Sequence, residues 1–214
     1  SGEPAGQPAV QPEDADGTEP LKITYQVHSE TLTDEYGSEL VQLKITSPYI
    51  DNPDGKEGIA ALTEYYGIQF DHFITTILSD GQENALEEKR AAEDLDYEFR
   101  PFVYDRTPVI QYNGNNLLSV SNLQYENTGG AHPNYFWEAE TFDITTGQKF
   151  TLEDIFGLEK GKALNKVYDI VLAQIEKSKG TEKFVYFEDY AETVKKYYAE
   201  EDFFLADDGI VFFY

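Results

Sequence analysis

The sequence predicts an α+β fold: mainly antiparallel sheets packed with one long helix in the N-terminal half and one or two helices in the C-terminal half. Three observations predict it. Short stretches alternate apolar and polar residues, as half-buried strands do: Ile23, Tyr25 and Val27, then Val41, Leu43 and Ile45. Other stretches repeat at three and four residues, as amphipathic helices do. The two kinds are interspersed without regular βαβ units, which favours antiparallel pairing.

Residues 21–30 and 39–50 form the first antiparallel pair, joined by a turn at Asp34-Glu35-Tyr36-Gly37. The cluster Asn52-Pro53-Asp54-Gly55 turns the chain into a helix over about residues 57–79. Its stripe is Ile59, Leu62, Tyr66, Phe70, Phe73, Ile77 and Leu78. Asp80-Gly81 is a candidate break, and residues 82–95 read as a solvated helical extension. Several strands follow over 97–125, where Pro101 and Pro108 suit edges or bulges and Asn113-Gly114 signals a type I′ hairpin. Residues 135–144 form another strand, with its alternate members expected in the core, and Thr145-Thr146-Gly147 turns it back.

Thr151-Leu152-Glu153-Asp154 reads as a capping box opening a short helix through Phe156. Leu164, Val167, Tyr168, Val171, Leu172 and Ile175 make the cleanest amphipathic stripe, ended by Gly180. Residues 184–198 offer a further helix with Tyr190, Val194 and Tyr197 on one face, and Asp208-Gly209 joins a terminal hairpin. Three regions result: an acidic linker over 1–20, an N-terminal α+β subdomain over 21–115 and a C-terminal one over 116–214.

Charge is the most unusual property. Sixteen basic residues face 41 acidic ones, a net −25. The first twenty residues hold five acids and no base, which leaves −20 on the rest. Such a field repels nucleic acid and anionic lipid and attracts basic proteins; it also serves solubility alone. With no Cys there are no disulfides or thiolate metal sites, and the absence of Met marks a fragment or processed chain. No apolar run is long enough to span a membrane.

Catalytic patterns are sparse. The histidines are His28, His72 and His132, with no His pair at zinc spacing and no nucleophile elbow. Residues 51–58 fail the calcium-loop pattern because position twelve is Leu62. No metal and no cofactor are expected. The segment Tyr125 to Tyr135 stands out. Gly129 and Gly130 permit unusual backbone angles, and His132 precedes Pro133. One reading makes this a fixed crossover with His132 hydrogen-bonded to backbone. The other makes it a ligand-contacting loop, with Gly129, Gly130, His132, Tyr135 and Trp137 as the binding residues.

The series Tyr125, Thr128-Gly129-Gly130-Ala131-His132, Phe142-Asp143-Ile144-Thr145-Thr146-Gly147, Leu152-Glu153-Asp154-Ile155-Phe156 and the closing Asp207-Asp208-Gly209-Ile210-Val211 resembles a domain-of-unknown-function family. That family comprises the C-terminal region of RsiV-like anti-sigma factors and a domain found beside PdaC-type polysaccharide deacetylases. The likeness covers about residues 120–214; residues 21–105 resemble, more weakly, the partner domain that precedes it. The resemblance implies a non-catalytic extracytoplasmic binding or sensing region of a bacterial cell-surface protein, its parent anchored in the membrane upstream. It implies a partner such as lysozyme, a basic protein, or a cell-wall glycan, and no nucleic acid. The alternatives are an accessory region of a cell-envelope hydrolase of the polysaccharide deacetylase type, or a hydrolase using His132 with Asp143 or Glu126. The oligomeric state stays open.

Overall fold

The computed structural model describes residues 19–159, 161–179 and 185–213. The acidic linker up to residue 18 and the helix stop at Gly180 lie outside the described residues. The fold is α+β, as the sequence predicts. Strands β1 (Ile23–Thr33), β2 (Glu39–Ile50), β3 (Phe102–Gly114), β4 (Leu117–Asn127) and β5 (Asn134–Asp143) form one sheet in sequence order. Every neighbouring pair is antiparallel except β2 and β3. Those two are joined by a long helix, the kind of crossover that parallel strands require.

That helix comprises α1 (Glu57–Thr76), a π-helical turn (Ile77–Gly81) and α2 (Gln82–Leu95), 39 residues in all. The break expected at Asp80-Gly81 does not occur. The π turn absorbs an extra residue and rotates the following face, so Ala85 and Ala92 are buried and Leu86 packs on the core rather than in solvent. A Cβ at Gly81 would lie 3.2 Å from Ile77 Cγ2 and 3.4 Å from the Tyr104 ring, so the turn sits against β3. Leu40, Val41, Leu43, Ile45 and Phe102 meet Ile77 and Ala85 in one cluster. Ile50, Leu118, Val120 and Phe142 meet Ile59, Leu62 and Tyr66 in a second.

On β1 the expected core face holds only at Ile23, which packs against the second cluster. Tyr25 and Val27 are half exposed. The register pairs His28 with Ile45 and Leu32 with Val41, so the other face of β1 lies against the helix. The hairpin signal also shifts: the two-residue turn is Asn115-Asn116, both at positive φ as a type I′ turn demands, while the Asn113 side chain pairs with the backbone of Leu21. Pro108 sits inside a continuous β3. Its pairing with β2 ends at Arg106, before Pro108 is reached.

The C-terminal part adds α3 (Leu152–Phe156), α4 (Ala163–Ser178), α5 (Tyr190–Tyr197) and a hairpin of β6 (Phe203–Ala206) with β7 (Gly209–Phe212). Thr151 and Asp154 form the expected capping box. Leu152, Ala163, Val167, Val194, Tyr198 and Phe203 build a third cluster. Tyr198, not Tyr197, is the buried tyrosine, because α5 ends at Tyr197 and the chain leaves it extended. The hairpin lies on the sheet face away from the long helix, where Leu205 N–H donates to Ser119 Oγ at 3.0 Å.

At the β1–β2 turn, Lys89 of α2 donates to Asp34, whose side chain is almost wholly buried. That bond, with help from the Ser38 N–H, lowers the Asp34 pKa to about 2. The stabilisation linked to Asp34 is present above the unfolded carboxyl's value of about 3.9 and is lost as pH falls through about 2. Lys89→Met is expected to return the Asp34 titration toward the ordinary carboxylate range, read by NMR; an unmoved titration would contradict the assignment.

Candidate functional site

Strand pleating sorts the sheet into a helix-covered inner face and an outer face. On the outer face, Ser29, Lys44, Asp105, Tyr125 and Tyr135 stand in one row across all five strands. The next row brings Trp137 beside Leu123. The C-terminal hairpin covers the Ser119, Ser121 and Thr141 region, all buried, and leaves the other end of the face open. There Tyr135 is 60% exposed and Trp137 50% exposed. Tyr125 and Tyr135 meet edge to face with ring centroids 5.3 Å apart. A shallow 340 Å³ depression continues the surface toward β1, lined on this face by Ser29, Thr31, Gln42, Lys44, Val103 and Asp105.

Phe136 lies between these two aromatics in sequence but on the inner face, where it is still 47% exposed. Alternate members of this strand were expected to fill the core; only Ala139, Thr141 and Phe142 do. The long helix does not cover the Asn134 end of β5. A period of two cannot hide three consecutive aromatics on one face.

The open end is held rigidly from behind. Arg106 donates to Glu138 at 2.8 Å and to Gln124 at 3.3 Å, and its guanidinium lies 4.0 Å from the centre of the Phe73 ring. Arg106 thus ties β3, β4 and β5 to α1. One strand step further, Glu140 accepts from the Tyr65 hydroxyl and lies 3.7 Å from Lys149. Burial, then the bond to Glu140, drives the Tyr65 hydroxyl well above its ordinary pKa. None of Arg106, Glu138 or Tyr125 was singled out as a site residue from sequence, because only the register brings them together.

The glycine loop joins β4 to β5. Gly129 adopts φ +85, and its N–H donates to Asn127 Oδ1 at 3.3 Å. A Cβ at Gly129 would lie 3.6 Å from Phe102 and 3.7 Å from Glu88, so the loop rests against α2 and the start of β3. Gly130, Ala131 and His132 are exposed. His132 makes no hydrogen bond or ion pair among the described residues, so the expected bond to backbone is absent. The acids named with it are engaged elsewhere: Glu126 accepts from Gln124, and Asp143 accepts from the N–H groups of Thr145 and Thr146. The structure therefore brings Tyr135 and Trp137 together on one surface with Tyr125, and leaves His132 at the neighbouring loop tip. Among the described residues no cluster of His, Asp and Glu converges as a metal site, and no helix is long and apolar enough to cross a membrane.

Residues 35–135 match the family model described as Deacetylase PdaC. The match takes in most of residues 21–105, where the motif likeness is weaker, and the Tyr125–His132 stretch of the stronger series. The whole fold is similar to that of a DUF3298 family member from Bacteroides fragilis NCTC 9343, with TM-score 0.64 and 20% identity over 91% of this chain and 83% of that one. A DUF3298 family protein from Pseudomonas aeruginosa PAO1 matches at TM-score 0.37 and 14% identity, over 78% of this chain and 76% of that one. No curated protein matches the sequence. The chain is thus similar to the PdaC model over residues 35–135, within a fold like that of a DUF3298 protein.

Proposed function

We propose that this chain is a non-catalytic, extracytoplasmic binding module of a bacterial cell-surface protein, whose partner is a basic protein of the lysozyme kind. The observation that carries the reading is the exposed pair Tyr135 and Trp137 at the uncovered end of a sheet, on a chain of net charge −25. Clustered exposed aromatics are the residue types that dominate binding energy, and a strong negative field steers a cationic partner to them. The likeness to RsiV-type sensors gives the same partner class. The match of residues 35–135 to the Deacetylase PdaC model supports a second reading, an accessory module that holds a wall-modifying enzyme at its glycan.

Calorimetric titration with hen lysozyme tests the first reading. A micromolar complex that persists at moderate salt is expected, because stacked aromatics are not screened. Heat that disappears once salt is added would reduce the interaction to charge alone and remove the proposal.

A further inference from the structure

The edge of β5 carries more than its side chains. β5 is the outermost strand on its side of the sheet. Its far end is covered by the returning chain: Phe150 N–H donates to Thr141 O at 2.6 Å and Asp143 N–H donates to Gln148 O at 2.9 Å. In an antiparallel strand both backbone groups of a residue point to the same side, and the side alternates along the chain. Thr141 and Asp143 point outward, so Ala139, Trp137 and Tyr135 do too. Their N–H and C=O groups have no backbone partner among the described residues. The covering segment departs into α3 at Thr151; Ala139, just beyond it, is still buried, and the row opens at Trp137 and Tyr135.

A 140 Å³ pocket lies where covered and open edge meet. Ala139, Leu152 and Phe203 give it apolar walls, and Glu153, Glu200 and Glu201 stand around it. Lys149 is also in its wall, 3.7 Å from Glu140. Apolar walls under an acidic rim suit the stem and head of a lysine or arginine.

From this placement we infer that the open edge of β5 accepts an extended, basic segment of the partner as an added strand, with one Lys or Arg side chain seated in the Leu152–Phe203 pocket. The inference rests on the reading of a basic partner and specifies how that partner is held. Main-chain bonds to Tyr135 and Trp137 supply affinity, and alternate side chains meet the outer-face aromatics. A second copy of this chain is a poor occupant. It would bring another −25 and oppose Glu138 and Glu140 with its own, the charge pattern by which edge strands resist self-pairing.

Hydrogen exchange resolved by residue tests this, with a synthetic peptide of alternating Arg and Val and, separately, with hen lysozyme. The Tyr135 and Trp137 amides are expected to exchange readily in the free protein and to slow at least about tenfold with the peptide. N-methylation of the peptide residues that face β5 should abolish the effect, methylation of the intervening set should preserve it, and Glu200→Gln with Glu201→Gln should weaken it. Edge amides that exchange as in the free protein at millimolar peptide overturn the inference. So does a dimer in which they are protected without peptide. If lysozyme binds while these amides stay unprotected, the strand-addition mode fails and the basic-partner reading survives; if lysozyme also fails to bind, both fall.

Discussion

Gly58→Ala is expected to lower stability by about 3 kcal/mol, near the top of what a single added methyl causes. Helix propensity alone predicts the opposite, a gain of up to about 1 kcal/mol for Ala over Gly. The packing decides the sign. Gly58 sits in the first turn of α1, and a Cβ there would collide with the carbonyl oxygen of Ile144 and lie 2.5 Å from that of Thr145. Both are backbone atoms in the turn after β5, so no side chain can swing aside. The same contact seen from the turn is equally close: a Cβ on Gly147, at φ +73, would meet Ala61 Cβ at 2.6 Å and Gly58 O at 2.8 Å. Two glycines therefore lock the start of the long helix onto the far end of β5. Chemical denaturation checks the prediction; a Gly58→Ala protein as stable as the parent would show that the turn yields freely.

That contact was invisible in the sequence, and the reason is general to this chain. Local signals were read well where local physics fixes the outcome. The Thr151–Asp154 capping box, the α4 stripe and the buried face of β2 all follow from spacing within a few residues. Readings failed where partners distant in sequence decide. Gly81 and Asp80 look like a helix break, but the chain runs through them as a π turn lying against β3. Tyr25 and Val27 look like a core face, but pairing with β2 turns the opposite face inward. Tyr135 and Trp137 stand out in sequence beside the glycine loop, while their exposure depends on where the helix and the C-terminal hairpin stop covering the sheet. Arg106 could not be recognised as the support of that surface before its neighbours Glu138, Gln124 and Phe73 were known.

The second large effect concerns binding. Trp137→Ala is expected to weaken the lysozyme complex by about 2 kcal/mol, about 30-fold in Kd, which is the loss typical of a central interface tryptophan. The fold should tolerate the change, because the indole is half exposed and the strand is held from behind by Arg106 through Glu138. Unfolding free energy measured beside affinity separates the two effects. An equal loss in both would make Trp137 a structural residue. Affinity left intact by the truncation would move the binding surface elsewhere on the acidic chain.

Trp137 is the sole tryptophan, so its indole N–H gives a single, unmistakable NMR signal in isotope-labelled protein. Following that signal while unlabelled hen lysozyme is added at moderate salt tests most directly whether the uncovered aromatic end of the sheet is the binding face. The account predicts a shift that saturates with the calorimetric Kd. A complex that forms by calorimetry while the indole signal stays where it was would contradict it.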